Sequence, residues 1–267
     1  MKKICIFNQK GGVGKTTTNI NLSCYLALEG FKVLIIDIDP QGNTTSGLGV
    51  DKSKLNYSIY NLFVENLDIN SLIVESEIIK NLYIIPSSVE LAATEVELSN
   101  VKKREFILKN ALCKLNDSFD FIFIDCPPSL GFLTLNALVA SDSLIIPIQC
   151  EFYALEGLSQ LIHTVNLVNN SLNKDLYIEG VILSMHDSRA KLSNEIVIEV
   201  KNFFGDKVFN TIIPRNIKLA EAPSYGLPIM LYDEKCKGAL SYKNLSKEFI
   251  SKQRRSGLWK KVYLVKD

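Results

Sequence analysis

Glycine and proline are sparse in this chain, at 14 and 8 of 267 residues, and no internal period repeats. That excludes a collagen-like rod and a low-complexity linker, and a hydrophobic share of 47 % excludes an intrinsically disordered chain. The six cysteines, at 5, 24, 113, 126, 150 and 236, form no CxxC pair and have no histidine at ligand spacing. Neither a zinc site nor a disulfide framework is therefore expected, and a buried free thiol is the expected state of those in apolar segments. No run approaches the roughly 18 apolar residues of a membrane-spanning helix. The start reaches polar Asn8 after only Ile4, Cys5, Ile6 and Phe7, too few for the core of a secretory signal, so a cytoplasmic location is expected. Excess charge is also lacking, with 30 Lys+Arg against 29 Asp+Glu, but the balance hides a division. Residues 1–185 carry 14 basic and 20 acidic side chains, and residues 186–267 carry 16 and 9. A basic surface toward the carboxyl terminus is expected, helped by segment 251–267 with six basic side chains and one acidic.

What is abundant is short aliphatic runs alternating with helical patterns. Strands are expected at Lys3–Asn8, Lys32–Asp37, Leu82–Pro86, Phe121–Asp125, Leu144–Gln149, Ile178–Met185 and Val208–Ile213. Most are continuously apolar, as befits a parallel sheet covered on both faces. Helices are expected near 16–29, 89–98, 103–116, 130–140, 155–170, 190–204 and 239–253, the first stopping at Gly30 as a left-handed cap. Region 43–80 reads as helix plus loop. The alternation predicts a single α/β domain, doubly wound around a mainly parallel sheet flanked by helices. In such a sheet, ligands bind beyond the carboxyl ends of the strands.

Chemistry-bearing residues cluster at those ends. After the first strand comes Gln9-Lys10-Gly11-Gly12-Val13-Gly14-Lys15-Thr16-Thr17, leading into a helix. Three glycines in four positions let backbone N–H groups approach phosphate oxygens, and the helix N-terminus adds its positive end. Lys15 can reach the β- and γ-phosphates, and the Thr16 hydroxyl can ligate Mg²⁺. The second strand ends Asp37-Ile38-Asp39-Pro40-Gln41-Gly42-Asn43, with two carboxylates on one side of an extended segment. Such a pair is costly unless it meets a cation, water or a donor. The fourth run closes in Asp125, placed to hold Mg²⁺ directly or through water, followed by Cys126-Pro127-Pro128-Ser129. After the seventh run stands Ile213-Pro214-Arg215-Asn216-Ile217-Lys218-Leu219-Ala220-Glu221-Ala222-Pro223.

The phosphate loop departs from the usual G-x-x-x-x-G-K-S/T, since Gln9 replaces the first glycine and Lys10 is added. It resembles the deviant Walker A box of the ParA/MinD superfamily of P-loop NTPases. The strings D-x-D-P-Q-G-N, D-C-P-P-S-L-G and the segment from Ile213 to Pro223 are similar to successive ParA boxes, as is Pro147–Leu158. The match covers roughly residues 1–250 and looks nearest to the chromosomal Soj-type ParA proteins, leaving 251–267 as a basic tail. The resemblance implies an Mg²⁺-dependent ATPase that dimerises on ATP, with a nucleotide site of Lys10, Gly11, Gly12, Val13, Gly14, Lys15, Thr16, Thr17, Pro214, Arg215 and Asn216. In it Lys10 touches nucleotide held by the partner subunit, and Asp39 positions the attacking water. Asp37 supports it near the metal, and Pro214 and Asn216 border the adenine. The metal set expected is Thr16, Asp39 and Asp125. Sequence-independent binding of double-stranded DNA through Arg189 and Lys218, and a ParB-type centromere-binding partner, are further implications. With the chain starting at the ATPase core, no operator-reading domain is expected.

Two rivals share the loop. A MinD-like membrane cycler would use an amphipathic carboxyl-terminal helix, and in the tail Leu258, Val262 and Val265 share a helical face beside Trp259. Gly257 and the brevity of the stretch oppose a stable helix, and membrane attachment is not expected. A basic arm on DNA and a disordered or dimer-packing end are the other readings of 251–267. A redox ATPase like the nitrogenase iron protein needs cysteines bridging two subunits, for which Cys126 is the only candidate.

Overall fold

The computed structural model describes residues 1–151 and 156–255. Seven strands, β1 (Lys2–Ile6), β2 (Val33–Asp37), β3 (Val74–Glu75), β4 (Leu82–Ile85), β5 (Phe121–Asp125), β6 (Ser143–Gln149) and β7 (Tyr177–Ser184), form one sheet in the order β3-β4-β2-β5-β1-β6-β7. All neighbouring pairs are parallel except β3 against β4. β2 and β5 are buried at every position. Their alternate side chains enter two apolar cores, so Leu34 and Ile36 face one layer while Val33 and Ile35 face the other. This is the expected doubly wound α/β domain.

Helices cover both faces. The described ones are α1 (Lys15–Leu28), α2 (Asn43–Gly47), α3 (Ile59–Glu65), α4 (Thr94–Glu97), α5 (Ile107–Leu112), α6 (Phe132–Ala140), α7 (Glu156–Ser171), α8 (Lys191–Phe204), α9 (Ile217–Glu221), α10 (Ile229–Tyr232) and α11 (Lys237–Arg255). α1 stops where expected. Gly30 at φ +92° donates its N–H to Ala27, and Phe31 donates to Leu26, the paired bonds of a Schellman cap. The expected helices 89–98 and 103–116 form only in part: each begins as a 3₁₀ turn and continues as the short α4 or α5. Region 43–80 resolves into α2, α3, short turns and the edge strand β3.

Val208–Ile213 is not a strand. Its ends reach β7, with Phe209 N–H on the Val181 carbonyl and Ile213 N–H on that of Leu183. Between them the N–H groups of Asn210 and Thr211 turn to the Glu248 carboxylate on α11, at 2.7 and 2.9 Å. A side chain thus replaces the ladder, and the aliphatic run alone gives no sign of it.

β7 is bulged beside β6, and Glu179, the extra residue, joins Lys2 and Gln253 in a buried cluster. That cluster fixes the end of α11 to β1 and β7. The next residue, Gly180, lies under the fully buried Phe209 ring, which a Cβ would overlap. Gly180→Ala should therefore cost about 1–3 kcal/mol by overpacking. A lowered denaturation midpoint with unchanged m-value checks it.

Candidate functional site

The site is built on strand register. Asp37 of β2 pairs with Asp125 of β5, and Ile6 of β1 pairs with the same Asp125, so three strands end level. Beyond β1 the glycine loop turns over these ends. Gly12 and Gly14 adopt φ +72° and +88°, a region that opposes side chains, and Gly14 caps α1. Ser184 at the end of β7 holds the loop from below, its hydroxyl donating to the Val13 carbonyl at 2.8 Å. Lys15 is buried, and its ammonium donates to the Lys10 carbonyl at 3.1 Å. Burial pushes its pKa down, against the pull of Asp125 and Asp39.

The two strand-end carboxylates differ in what they offer. Asp37 is saturated: Oδ2 accepts from the Thr45 N–H and hydroxyl at 2.8 and 2.7 Å, and Oδ1 from the Asp39 N–H at 3.2 Å. It holds the turn that follows β2. In Asp125, Oδ2 takes the hydroxyls of Thr16 and Thr44 at 2.8 and 2.6 Å, while Oδ1 is buried with no hydrogen-bond partner. Burial, then the neighbouring carboxylate, pushes the Asp37 pKa up; burial does the same at Asp125, against the Thr44 and Thr16 hydrogen bonds. A carboxylate oxygen left bare beside a threonine hydroxyl fits a hard divalent cation such as Mg²⁺. Asp39 lies one turn outward, with Oδ1 accepting from the Gln41 N–H at 3.0 Å and its carbonyl from the Ser87 hydroxyl at 2.6 Å. Lys10 stands at the loop's start, where its N–H meets Asn8 Oδ1 at 3.0 Å.

A cavity of about 400 Å³ opens beside the loop, bordered by Gly14, Thr17, Met185, Pro214, Asn216 and Tyr242. Arg215 also borders it, while its guanidinium pairs with Glu151 at 2.7 Å. The Asn216 side-chain oxygen caps α9 by accepting from the Lys218 N–H, which leaves its amide N–H₂ for a ligand. Thr44, Thr45, Ser87, Met185 and Tyr242 escape sequence reasoning. Thr44 and Thr45 have a usable signal, hydroxyls directly following the Asp-Pro-Gln-Gly-Asn turn; Tyr242, from α11, has none.

Arg189 sits on the loop after β7 and Lys218 in the first turn of α9, and the segments leading to them are bridged by backbone bonds, His186 N–H to Ile213 and Arg215 N–H to His186. Each cation has its own acid, Asp187 at 3.4 Å from Arg189 and Glu221 at 3.1 Å from Lys218. At these two positions the cation is paired with an acid. Cys126 lies buried with its sulfur 3.1 Å from that of Cys5 in the same chain, in no position to bridge subunits. Phe152, Tyr153, Ala154 and Leu155, and the tail residues Leu258, Trp259, Val262 and Val265, lie outside the described residues.

Comparison with known proteins agrees with this geometry. The AAA domain family model matches residues 1–178. The sporulation initiation inhibitor protein Soj of Bacillus subtilis is 53% identical over 247 residues, which span 92% of this chain and 97% of that one. The chromosome-partitioning ATPase Soj of Treponema pallidum is 51% identical over 94% and 98%. Among solved structures, cobyrinic acid a,c-diamide synthase from Mycobacterium smegmatis, with bound ADP and magnesium, superposes with a TM-score of 0.82 at 33% identity, over 96% of each chain. With about half its residues shared with the Soj proteins along nearly the whole length of both, the chain belongs to the Soj/ParA branch of the ParA/MinD superfamily.

Proposed function

We propose that this chain is an Mg²⁺-dependent ATPase that closes a homodimer on ATP, holds duplex DNA without reading its sequence, and drives DNA partition with a ParB-type partner. The observation that carries the reading is Asp125, with one oxygen on the Thr16 hydroxyl and the other buried and bare under a glycine loop. The Soj relative named a chromosome-partitioning ATPase supports the cellular role, and the setting proposed for this chain is the cytoplasm, on the nucleoid. The neighbour solved with ADP and magnesium supports the ligands.

Thr16 and Asp125, with Asp39 alongside, would hold Mg²⁺, which when bound neutralises charge on the β- and γ-phosphates. The loop N–H groups from Gly11 to Thr17 and the Lys15 ammonium bind those phosphates, for which Lys15 gives up the Lys10 carbonyl. Asp39 orients the attacking water and draws on its proton as the water oxygen bonds to the γ-phosphorus and the bond to the β–γ bridging oxygen breaks. Lys10, entering from the partner subunit, meets the charge that develops there. Pro214 offers the base an apolar face, Arg215 closes the cavity rim, and the Asn216 amide meets the adenine edge.

Lys15 meets ground-state phosphates, whereas Asp39 acts on the water. Lys15→Ala should therefore abolish ATP binding, while Asp39→Ala keeps ATP, stalls hydrolysis and accumulates dimer. Size-exclusion chromatography with ATP and Mg²⁺ decides, and a monomeric Asp39→Ala protein that still binds ATP removes the role given to Asp39.

Lys10→Ala should lose dimerisation and turnover while its monomer keeps most of its affinity for ATP. Mixed with Asp39→Ala protein, it should recover part of the activity, because one site of a mixed dimer regains an intact set. Demonstrated mixed dimers without recovery would show that Lys10 does not act across the interface.

For DNA, phosphates must displace Asp187 from Arg189 and Glu221 from Lys218, an exchange of exposed partners that costs little. Each phosphate contact contributes about −0.9 to the slope of log K against log salt. Arg189→Ala or Lys218→Ala should flatten that slope by about one contact per subunit and weaken all sequences alike, leaving basal turnover intact. Filter binding across a salt series measures it, and equal slopes with ATP and ADP would refute the dependence of DNA binding on the dimer.

A further inference from the structure

The cations in excess toward the carboxyl terminus have a definite place in the fold. α11 carries six basic side chains and one acid, Glu248. Glu248 is engaged by Asn210 and Thr211, and Lys252 turns inward, its ammonium 3.1 Å from the Asp206 carbonyl and 4.3 Å from the centre of the Phe209 ring. Lys237, Lys243, Lys247, Arg254 and Arg255 remain, all exposed. At 3.6 residues per turn they fall within about 120° of the helix circumference, and Lys243, Lys247 and Arg254 within about 40°. Leu240, Asn244 and Ser251 fill the same arc, so it holds no acid. Among the described residues no ion pair involves Lys237, Lys243, Lys247 or Arg255. Glu29 borders a recess with Lys247 and Arg254, without an ion pair to Lys247.

The helix that presents this ridge is fixed along its length. Ala239, Tyr242, Leu245 and Phe249 on its other side are buried in the domain, and Gln253 is bound to Lys2 and Glu179. At its start Gly238 lies against Leu219 of α9, which a Cβ would approach to 2.7 Å. The ridge therefore begins beside the element that carries Lys218. From Lys243 to Arg254 it runs about 17 Å at 1.5 Å per residue.

We infer that this ridge of α11 is a further contact surface for duplex DNA, meeting backbone phosphates without reading bases. It rests on the proposal that the chain holds DNA, and adds a surface that Arg189 and Lys218 do not supply. A duplex carries one negative charge per about 1.7 Å of its axis, about ten over this length, so each cation has a phosphate within reach. Phosphates meet Lys243 and Lys247 without displacing an acid, unlike Arg189 and Lys218. A lipid surface fits less well, because a helix lying on a membrane buries an apolar face in it, and the apolar face of α11 is already buried in the domain. The ridge belongs to each subunit, so it acts with ATP or ADP, and a dimer doubles it.

Filter binding of the full chain to a random-sequence duplex across a salt series, with ATP and with ADP, tests the ridge. Lys243→Gln with Lys247→Gln and Arg254→Gln, at exposed positions where Gln keeps helix propensity, should leave the denaturation midpoint in place. It should flatten the slope of log K against log salt by about 2.7 for each subunit engaged. Lys243→Arg with Lys247→Arg should keep the slope. Lys102→Gln with Lys109→Gln and Lys114→Gln removes the same charge from exposed positions on and around α5, which packs on the opposite core layer, and should also keep it. Equal flattening by the two triple variants would reduce the effect to net charge and overturn the ridge. An unchanged slope in the α11 variant, while Arg189→Ala or Lys218→Ala flattens it, overturns the ridge and leaves the proposed DNA binding standing. A wild-type protein that binds no duplex with either nucleotide removes that proposal and the ridge with it. Binding to phosphatidylglycerol–phosphatidylcholine vesicles that the α11 variant loses, with no duplex bound, overturns it in favour of a lipid surface.

Discussion

Because β2 and β5 run parallel and in register, Asp37 stands beside Asp125 at the carboxyl edge of the sheet, and both are buried. Two carboxylates removed from water at that spacing repel each other and lose their hydration, so each needs donors. Much of the surrounding architecture supplies them. α2 begins after the Asp-Pro-Gln-Gly turn so that Thr44 serves Asp125 and Thr45 serves Asp37. Ser87, on the loop after β4, donates to the Asp39 carbonyl, and its own N–H meets the Thr45 hydroxyl at 3.0 Å. Thr16 closes the circuit from the first turn of α1. Around this circuit Asp125 Oδ1 and the buried Lys15 keep capacity for a ligand, which suits this sheet edge to a cation and a phosphate.

The outer cations follow a different logic. Arg189, Arg215 and Lys218 are each matched with a single acid at or near the surface. Such pairs are weak in water, and the carboxylate is replaceable by another anion of higher charge density. One subunit offers too few of them for tight binding. Two subunits joined on ATP, as proposed above, would present them on one particle, and the second set would then engage at high effective concentration. On the proposed function, nucleotide state would control DNA affinity in this way without any change at the contacting side chains.

Legibility in the sequence tracked how much of each element was self-sufficient. β1, β2, β5 and β6 sit inside the sheet, where both faces must be apolar, and their continuous aliphatic runs announced them. β3 has two residues and pairs at the edge, so no periodicity could reveal it. Val208–Ile213 has a strand's composition but donates its central N–H groups to Glu248, 38 and 37 residues away from Asn210 and Thr211. Local pattern carries no information about a partner at that separation.

The site divides along the same line. Gly12, Gly14, Lys15 and Thr16 act through backbone conformation and reach within one loop, so their spacing in sequence is already their geometry. Asp125 becomes meaningful only through its register with Asp37, which an aliphatic strand ending in an acid suggests but cannot fix. Tyr242 lies farther still. It comes from α11, meets the Thr18 hydroxyl at 3.1 Å and lines the same cavity as Asn216, after a chain separation of 224 residues from Thr18. Its placement depends on α11 being held against α1, and through the Lys2–Glu179–Gln253 cluster on the sheet itself. A residue whose position is set by the packing of the whole domain becomes visible only when that packing is, which is why the glycine loop was legible first and the cavity at Tyr242 last.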